Sequence, residues 1–135
     1  MVTLEPVRPL ATADLEAAGM TWHTEQDGSA YLAPEVVVVH EAEAAALAAA
    51  ASALQAMYLQ AAGEVIAQRR YAELGIPANL EPLIEDSWAR EDPLLLGRFD
   101  LAGGLAGEPV KLLEFNADTP TGVLETSLLQ WLLLK

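Results

Sequence analysis

The chain has 135 residues, no cysteine, and 20 acidic against 7 basic side chains, for a formal net charge of −13. The lack of cysteine excludes disulfides, zinc–thiolate sites and cysteine nucleophiles, and the scarcity of Lys and Arg argues against nucleic acid or anionic membrane as partners. This length predicts a single domain over 1–135, and the absence of cysteine and of an apolar N-terminal signal fits a cytoplasmic protein.

The first third of the chain predicts three short elements. A run of β-branched residues predicts a strand, an Asp-Gly pair between extended segments predicts a hairpin turn, and a glycine predicts the end of a helix. The predicted elements are a helix over 12–18, a hairpin of 20–24 and 30–33 around Asp27-Gly28, and a strand over Glu35–Val39.

The longest predicted element is an alanine-rich helix from Glu41 to about Gln68 or beyond, whose larger apolar residues recur at helical spacing. Its most apolar run, Ala44–Leu54, is too short and too rich in alanine to span a bilayer, so no membrane partner is predicted. A third helix is predicted to pass through Trp88 and to end before Asp92-Pro93.

The last third predicts a β-hairpin at about 94–116, with strands over 94–101 and 110–116. Asp118-Thr119-Pro120 then has the composition of a helix start, and a final helix is predicted over Thr121–Lys135. Together the elements predict an α+β fold, in which a helical layer, one long helix plus shorter ones, packs on a small antiparallel sheet.

Polar side chains alternate along both strands of this hairpin. Strand side chains point to opposite faces in turn, so Arg98 and Asp100 share a face, as do Glu114 and Asn116. If Asp100 lies opposite Glu114, then Arg98 lies opposite Asn116, and the four form one polar cluster. Like charges directly opposite on a sheet are destabilising, so a divalent cation with oxygen ligands is a simple means of neutralising them.

Each member of this cluster has a chemical role that it suits. Asp100, Glu114 and Asn116 offer hard oxygen ligands to Mg²⁺, while Arg98 offers a planar fork for carboxylate or phosphate. The amides at the start of the helix at Thr119 form a second anion site. The competing interpretation is an ordinary amphipathic hairpin whose solvated face pairs Arg98 with a carboxylate, and residue types and spacing alone favour it.

The stretch Lys111–Thr121, read K-L-L-E-F-N-A-D-T-P-T and followed by Glu125, closely resembles the glutathionylspermidine synthase family of ATP-grasp carbon–nitrogen ligases. The family's R-x-D and E-x-N strand pair matches Arg98–Asp100 and Glu114–Asn116. The resemblance reaches almost the whole chain, but it is specific only from about Trp88 onward.

This resemblance implies an ATP- and Mg²⁺-dependent amide ligase. ATP would phosphorylate the carboxylate of a glutathione-like peptide, and a polyamine-like amine such as spermidine would attack the acyl phosphate. Asp100, Glu114 and Asn116 match the family's Mg²⁺ ligands. Arg98 matches the catalytic group that contacts the reacting carboxylate and phosphate, and Thr119 matches a position that contacts the peptide. With the resemblance included, the functional site is favoured over the solvated face.

The sequence departs from the family pattern in three ways. It is shorter than the family's ligases, whose ATP-grasp part supplies nucleotide-binding lysines, and neither Lys111 nor Lys135 suits that role. The turn Gly103–Gly107 lacks an acidic–glycine pair that is usual there, and Gly122 stands where serine is common. We therefore expect the chain to be the N-terminal portion of such a ligase, without the nucleotide-binding part and inactive alone.

Two other interpretations stay open at this stage. One is a non-enzymatic acidic helical module that binds a partner through its alanine-rich helix or its final helix. The exposed apolar face of the final helix could also drive homodimerisation. The other is a standalone metal-dependent domain that binds small carboxylates.

Overall fold

The computed structural model describes residues 3–117 and 121–134 as an α+β protein. Its strands and α-helices are, in chain order, β1 (Thr3–Pro6), α1 (Thr12–Ala17), β2 (Glu35–Val38), α2 (Glu41–Ala67), α3 (Glu81–Ala89), β3 (Arg98–Ala102), β4 (Lys111–Asn116) and α4 (Gln130–Leu133). A 3-10 turn, Tyr71–Leu74, follows α2, and a π-helical turn, Glu125–Leu129, leads into α4. The predicted fold class is confirmed, since one long helix packs on a small antiparallel sheet.

Two separate antiparallel strand pairs are present in the described residues, β1 with β2 and β3 with β4. The sequence did not predict β1, which places Leu4 opposite Val37. The predicted hairpin at 94–116 is confirmed as β3–β4. Its first strand begins at Arg98 and not at residue 94, since residues 94–97 are not in a strand.

The predicted hairpin around Asp27-Gly28 forms its turn but hardly any ladder. The Gly28 N–H donates to the Glu25 carbonyl at 3.0 Å, and Gly28 takes a positive φ of 87° that glycine tolerates. The flanking segments pair only at a bridge between Thr24 and Ala30. Two extended strands there were therefore a wrong prediction, although the turn itself was right.

The N-terminus of α2 is tied to the tip of the β3–β4 hairpin by Glu43. One carboxylate oxygen accepts the His40 N–H at 3.2 Å, and the other accepts the Ala106 N–H at 2.7 Å. Hydrogen bonds to the charged form favour it, so Ala106 first and His40 second lower the pKa of Glu43. A single side chain thus fixes the start of α2 against a loop that lies far along the chain.

The other end of α2 packs on α3. Arg69, just beyond α2, pairs with Glu85 and, at 2.8 Å, with Glu81. Tyr71 is buried and donates its hydroxyl to Glu85 at 3.1 Å, and its burial raises the pKa of the phenol. A Cβ added at Gly63 would lie 3.1 Å from the Trp88 ring, which shows that this ring lies directly against α2.

Buried apolar side chains are few. Leu15, Met20 and Leu129 form one buried cluster, which joins α1 to the C-terminal helical segment. Tyr71 is buried separately, and no residue of α2 is buried. The described part of the chain therefore leaves much apolar surface open to solvent.

By length and composition alone, α2 could cross a membrane, because it has 27 residues and a mean hydropathy of 1.2 over its most apolar window. This criterion is weak evidence, since helices of soluble proteins also meet it. The prediction that the chain has no membrane partner stays a prediction.

Candidate functional site

The strands have the register on which the predicted polar cluster depends. Arg98 lies opposite Asn116, and Asp100 lies opposite Glu114. Residues opposite each other on one face of an antiparallel pair have Cβ atoms about 5 Å apart. The four chemistry-bearing side chains therefore share one face of the hairpin.

The guanidinium of Arg98 is held on both sides. Its Nε and Nη2 donate to the two carboxylate oxygens of Asp100, at 2.7 and 3.1 Å. Its Nη1 donates to the carbonyl and the hydroxyl of Thr121, at 2.6 and 2.8 Å. This arrangement fixes the plane of the guanidinium, which is the prerequisite for bidentate recognition of a carboxylate or phosphate.

The Arg98–Asp100 pair also shifts both ionisation equilibria. The hydrogen bonds from Arg98 lower the pKa of Asp100, and the same contact raises the pKa of Arg98. Both groups therefore remain charged at neutral pH. This is also the ion pair that the solvated-hairpin interpretation predicts, so the pair by itself does not discriminate between the two interpretations.

The opposite face of the hairpin is a stack of aromatic rings. Phe99 and Phe115 lie opposite each other with ring centroids 4.2 Å apart. Tyr58 of α2 covers them at 4.8 Å from Phe115 and 5.9 Å from Phe99. Close behind, a Cβ on Gly97 would lie 2.7 Å from the Phe115 ring. The polar face is therefore supported from behind by α2.

A β-bulge follows the polar cluster. The register shifts after Asp100, so that Leu101 pairs with Leu112 and Leu113 is left over. Leu113 is 69% exposed. The bulge thus inserts one extra residue into β4, and Leu113 has no partner in β3.

Glu114 and Asn116 are the other two members of the cluster, which therefore contains only two acidic side chains, Asp100 and Glu114. In residues 3–117 and 121–134, no three His, Cys, Asp or Glu side chains converge in a way that could hold a metal ion. The amide nitrogen of Asn116 is buried and has no hydrogen-bond partner in this part of the chain. Such a buried polar atom requires either an acceptor or, after rotation of the amide, a cation facing the oxygen.

Thr119, predicted to contact a substrate, lies outside the described residues. The threonine that the structure does place at the site is Thr121, to which the sequence assigned no role. The N-A-D-T-P-T stretch contains both threonines, and that motif was the available signal for Thr121.

A second set of residues meets beside Thr121. Trp22 and Tyr31, from the segment after α1, donate to the carboxylate of Glu125 at 3.3 and 3.4 Å. These three line an open groove of about 590 Å³ together with residues 121–124 and Thr126. The sequence did not predict this groove, since its walls are about 100 residues apart and neither segment carries a recognisable motif.

Comparison with known proteins agrees with the resemblance read from the sequence. The family model described as glutathionylspermidine synthase preATP-grasp matches residues 2–135. A Haemophilus influenzae protein named “Putative acid–amine ligase” is 34% identical over 133 residues, which cover 96% of this chain and 33% of that protein. The chain thus spans about a third of the length of this curated relative. The 135-residue chain belongs to the glutathionylspermidine synthase preATP-grasp family.

Proposed function

We propose that this chain is the carboxylate- and metal-binding portion of an ATP-dependent ligase that joins a carboxylic acid to an amine. The observation that carries the proposal is the guanidinium of Arg98, fixed between Asp100 and Thr121 on a hairpin of this family. The ligase name of the Haemophilus influenzae relative supports the reaction class.

In this proposal Arg98 is the catalytic residue that contacts the reacting carboxylate and the phosphate transferred to it. A fixed positive fork stabilises the negative charge that develops on phosphoryl oxygens. Both sides of the guanidinium are already engaged, by Asp100 and by Thr121. These contacts use four of its five N–H donors, so a substrate oxygen can reach the remaining Nη2 N–H, whereas bidentate binding requires Arg98 to exchange at least one contact.

Asp100, Glu114 and Asn116 are the residues that would hold Mg²⁺. Two carboxylates on one face fit this ion, which usually binds through one or two carboxylates plus substrate phosphates. The buried amide nitrogen of Asn116 lacks a partner in the described residues, and rotation of the amide would turn its oxygen toward the cation. Bound Mg²⁺ would supply a Lewis acid for phosphoryl oxygens. Since Arg98 occupies both oxygens of Asp100, the metal and Arg98 compete for that carboxylate.

The remaining parts of the proposal follow from the family. A glutathione-like peptide would present its carboxylate to Arg98, with Thr119 contacting the peptide, and a polyamine-like amine would be the nucleophile. ATP would be held by residues outside this chain, which is supported by the preATP-grasp description and by the threefold greater length of the relative. The chain alone would not hydrolyse ATP, and the reaction would take place in the cytoplasm.

The metal assignment is tested by titrating the chain with Mn²⁺ or Mg²⁺ in a calorimeter. The wild type should bind weakly, and the double variant Asp100→Ala plus Glu114→Ala should not bind at all. A matched control, Glu5→Ala plus Glu35→Ala, removes two carboxylates from the β1–β2 sheet and should bind like the wild type. Equal binding by the wild type and the Asp100/Glu114 variant would remove the metal from the proposal.

A second candidate function is that of an interaction module. α2 and α3 border an apolar groove of about 930 Å³, lined by Leu59, Ile66, Ile84 and Trp88 among others. Leu83, on its edge, is 65% exposed, and Leu134 after α4 is 80% exposed. Apolar surface of this extent suits a protein partner or a second copy of the chain.

Light scattering across a concentration series tests the homodimer. Self-association should be weakened by Leu83→Glu if the groove is the interface, or by Leu134→Glu if the final helix is. Leu4→Glu changes a residue of similar exposure on β1 and serves as the control. A wild-type chain that stays monomeric at every concentration would rule out the homodimer.

A further inference from the structure

The groove beside Thr121 has the composition of a cation site. Its walls are the two aromatic rings of Trp22 and Tyr31 on one side and the chain from Thr121 to Thr126 on the other. Glu125 is its charged residue, and none of the described lining residues is basic. A carboxylate beside aromatic rings suits an organic cation, because the carboxylate attracts its charge and the rings offer apolar surface to its hydrocarbon part.

Glu125 is half-buried and only partly hydrogen-bonded. The Trp22 indole N–H and the Tyr31 hydroxyl both donate to the same oxygen, at 3.3 and 3.4 Å. These bonds are longer than ordinary hydrogen bonds to oxygen, which cluster near about 2.8 to 3.0 Å. Among the described residues the second carboxylate oxygen accepts no hydrogen bond. This second oxygen of Glu125 can therefore accept a hydrogen bond from a charged donor of a ligand.

The backbone at Glu125 is unusual. Glu125 opens the π-helical turn Glu125–Leu129, where the Gln130 N–H donates to the Glu125 carbonyl five residues back. Such turns are rare and occur frequently at functional sites, where they re-aim a side chain. The turn is anchored from below by Leu129, which is 1% exposed in the buried cluster with Leu15 and Met20.

The groove is joined directly to the Arg98 site. Thr121 lines the groove, and its carbonyl and hydroxyl are the groups that accept hydrogen bonds from Arg98. The groove, with the carboxylate of Glu125, therefore adjoins the guanidinium of Arg98 through one shared residue. A molecule carrying both an ammonium group and a carboxylate, or two molecules each carrying one, would match this pair of charges.

From these contacts we infer that the groove of Trp22, Tyr31 and Glu125 binds a primary alkylammonium group. Two of its N–H bonds would go to Glu125, and its methylene chain would lie against the two rings. The binding itself needs neither ATP nor metal; only the statement that the ammonium belongs to a ligase substrate rests on the proposed function. The competing view is that Glu125 merely ties the 22–31 segment to the C-terminal helix.

The test is a titration of the 135-residue chain with two probes, spermidine and glutathione, followed by the ¹⁵N and ¹H shifts of the Trp22 indole N–H. A Trp22→Phe variant assigns that signal among the three tryptophans. We expect at least one probe to move the Trp22 signal saturably. Spermidine alone would identify an amine co-substrate, and glutathione alone would identify the amino group of a peptide.

The variant Glu125→Gln separates binding from structure, because the amide oxygen still accepts the two hydrogen bonds while the charge is lost. Loss of a charge-assisted hydrogen bond should weaken binding about tenfold or more. The control Glu108→Gln makes the same charge change in the β3–β4 turn and should leave binding within about twofold.

Two further comparisons keep the inference falsifiable even if Glu125→Gln does not fold. Tetramethylammonium and N-acetylated glutathione lack a primary ammonium group, and each should shift the Trp22 signal far less than the matching probe. The inference is overturned if neither probe binds the wild type at millimolar concentration, if Glu125→Gln folds and binds equally well, or if the capped probes bind as well as the free amines. The titration needs neither ATP nor metal, so a failure of this site would leave the Mn²⁺ titration of Asp100 and Glu114 unchanged. The two failures are therefore distinguishable.

Discussion

The two strand pairs of this protein have the same simple architecture and very different surroundings. β1–β2 is a regular ladder of four residue pairs, from Thr3 with Val38 to Pro6 with Glu35. β3–β4 carries a bulge, a stack of aromatic rings behind it and a bidentate ion pair in front. Only the second pair has a helix packed against it through aromatic contacts in the described residues.

This difference shows what a two-stranded sheet needs in order to hold polar side chains in fixed positions. An isolated antiparallel pair is marginally stable in water. In β3–β4 the rings of Phe99 and Phe115 gain a third ring, Tyr58, from α2, and that contact stabilises the register from behind. The polar face can then present Asp100 and Glu114 side by side, an arrangement that costs electrostatic energy.

The largest effect should come from removing the aromatic support. Phe115→Ala deletes the ring between Phe99 and Tyr58 and should lower the free energy of unfolding by about 3 kcal/mol, as large-to-small changes in packed aromatic sites do. Val36→Ala in β2 should cost about 1 kcal/mol, because only a small half-buried side chain is trimmed. Urea unfolding followed by circular dichroism measures both. Equal costs in the two sheets would contradict the comparison.

The next effect concerns competition for Asp100. Arg98→Ala frees both oxygens of that carboxylate and removes a nearby positive charge, so Mn²⁺ affinity should rise about threefold to tenfold, as expected for a charge-assisted contact at a solvated site. Calorimetry measures the change. Arg90→Ala, which breaks the ion pairs with Asp86 and Asp92 instead, should change the affinity by less than about twofold. A weaker Mn²⁺ affinity in Arg98→Ala would show that the metal and Arg98 do not share Asp100.

A smaller effect should appear as pH dependence. The pKa of Asp100 is lowered in the folded protein, so its contribution to stability is present above the unfolded value of about 3.9 and is lost as the pH falls through the folded value. Asp100→Asn should therefore be less stable than the wild type at pH 7, and the two should converge at strongly acidic pH. In an Arg98→Met background this difference should largely vanish, because the cause of the shift is gone. Urea unfolding across pH measures it, and parallel curves that never converge would contradict the assignment.

The smallest effect tests the bulge. Leu113 is exposed because it is the extra residue of β4, so Leu113→Ser should change the free energy of unfolding by less than about 0.5 kcal/mol. A regular ladder would place this leucine on the apolar face, and its replacement by serine would then cost well over about 1 kcal/mol. Chemical denaturation distinguishes the two cases. A large loss would mean that the bulge is absent in solution.

Sequence reasoning succeeded where a short-range rule decides the geometry. The period of two in strands predicts that Arg98 shares a face with Asp100 and that Glu114 shares one with Asn116. The register with Asp100 opposite Glu114 was the condition for one cluster, and the structure has that register. The long helix follows from the helical spacing of its larger apolar residues. Its observed span, Glu41–Ala67, agrees with a start at Glu41 and an end near Gln68, and it does not extend beyond. The metal and substrate roles of these residues stay predictions.

Sequence reasoning missed features that depend on distant parts of the chain. Nothing local in β4 marks Leu113 as an extra residue, because a bulge depends on how two strands pair and not on one strand alone. Likewise β1 has only four residues and ends in a proline, so its own sequence does not indicate that it forms a strand paired with the valines of β2. The contact of Trp22 with Glu125 joins residues 103 positions apart, and only the packing of α1 against the C-terminal segment brings them together.

The bond from the Ala106 N–H to Glu43 has a consequence for hydrogen exchange. Ala106 lies in an exposed glycine-rich turn, where an amide would ordinarily exchange with solvent within moments of dilution into D₂O. Its acceptor sits in the first turn of α2, so exchange requires the hairpin tip to lift away from the helix. The protection of this one amide therefore reports how often the hairpin and α2 separate, a motion that would also displace the polar face from its aromatic support.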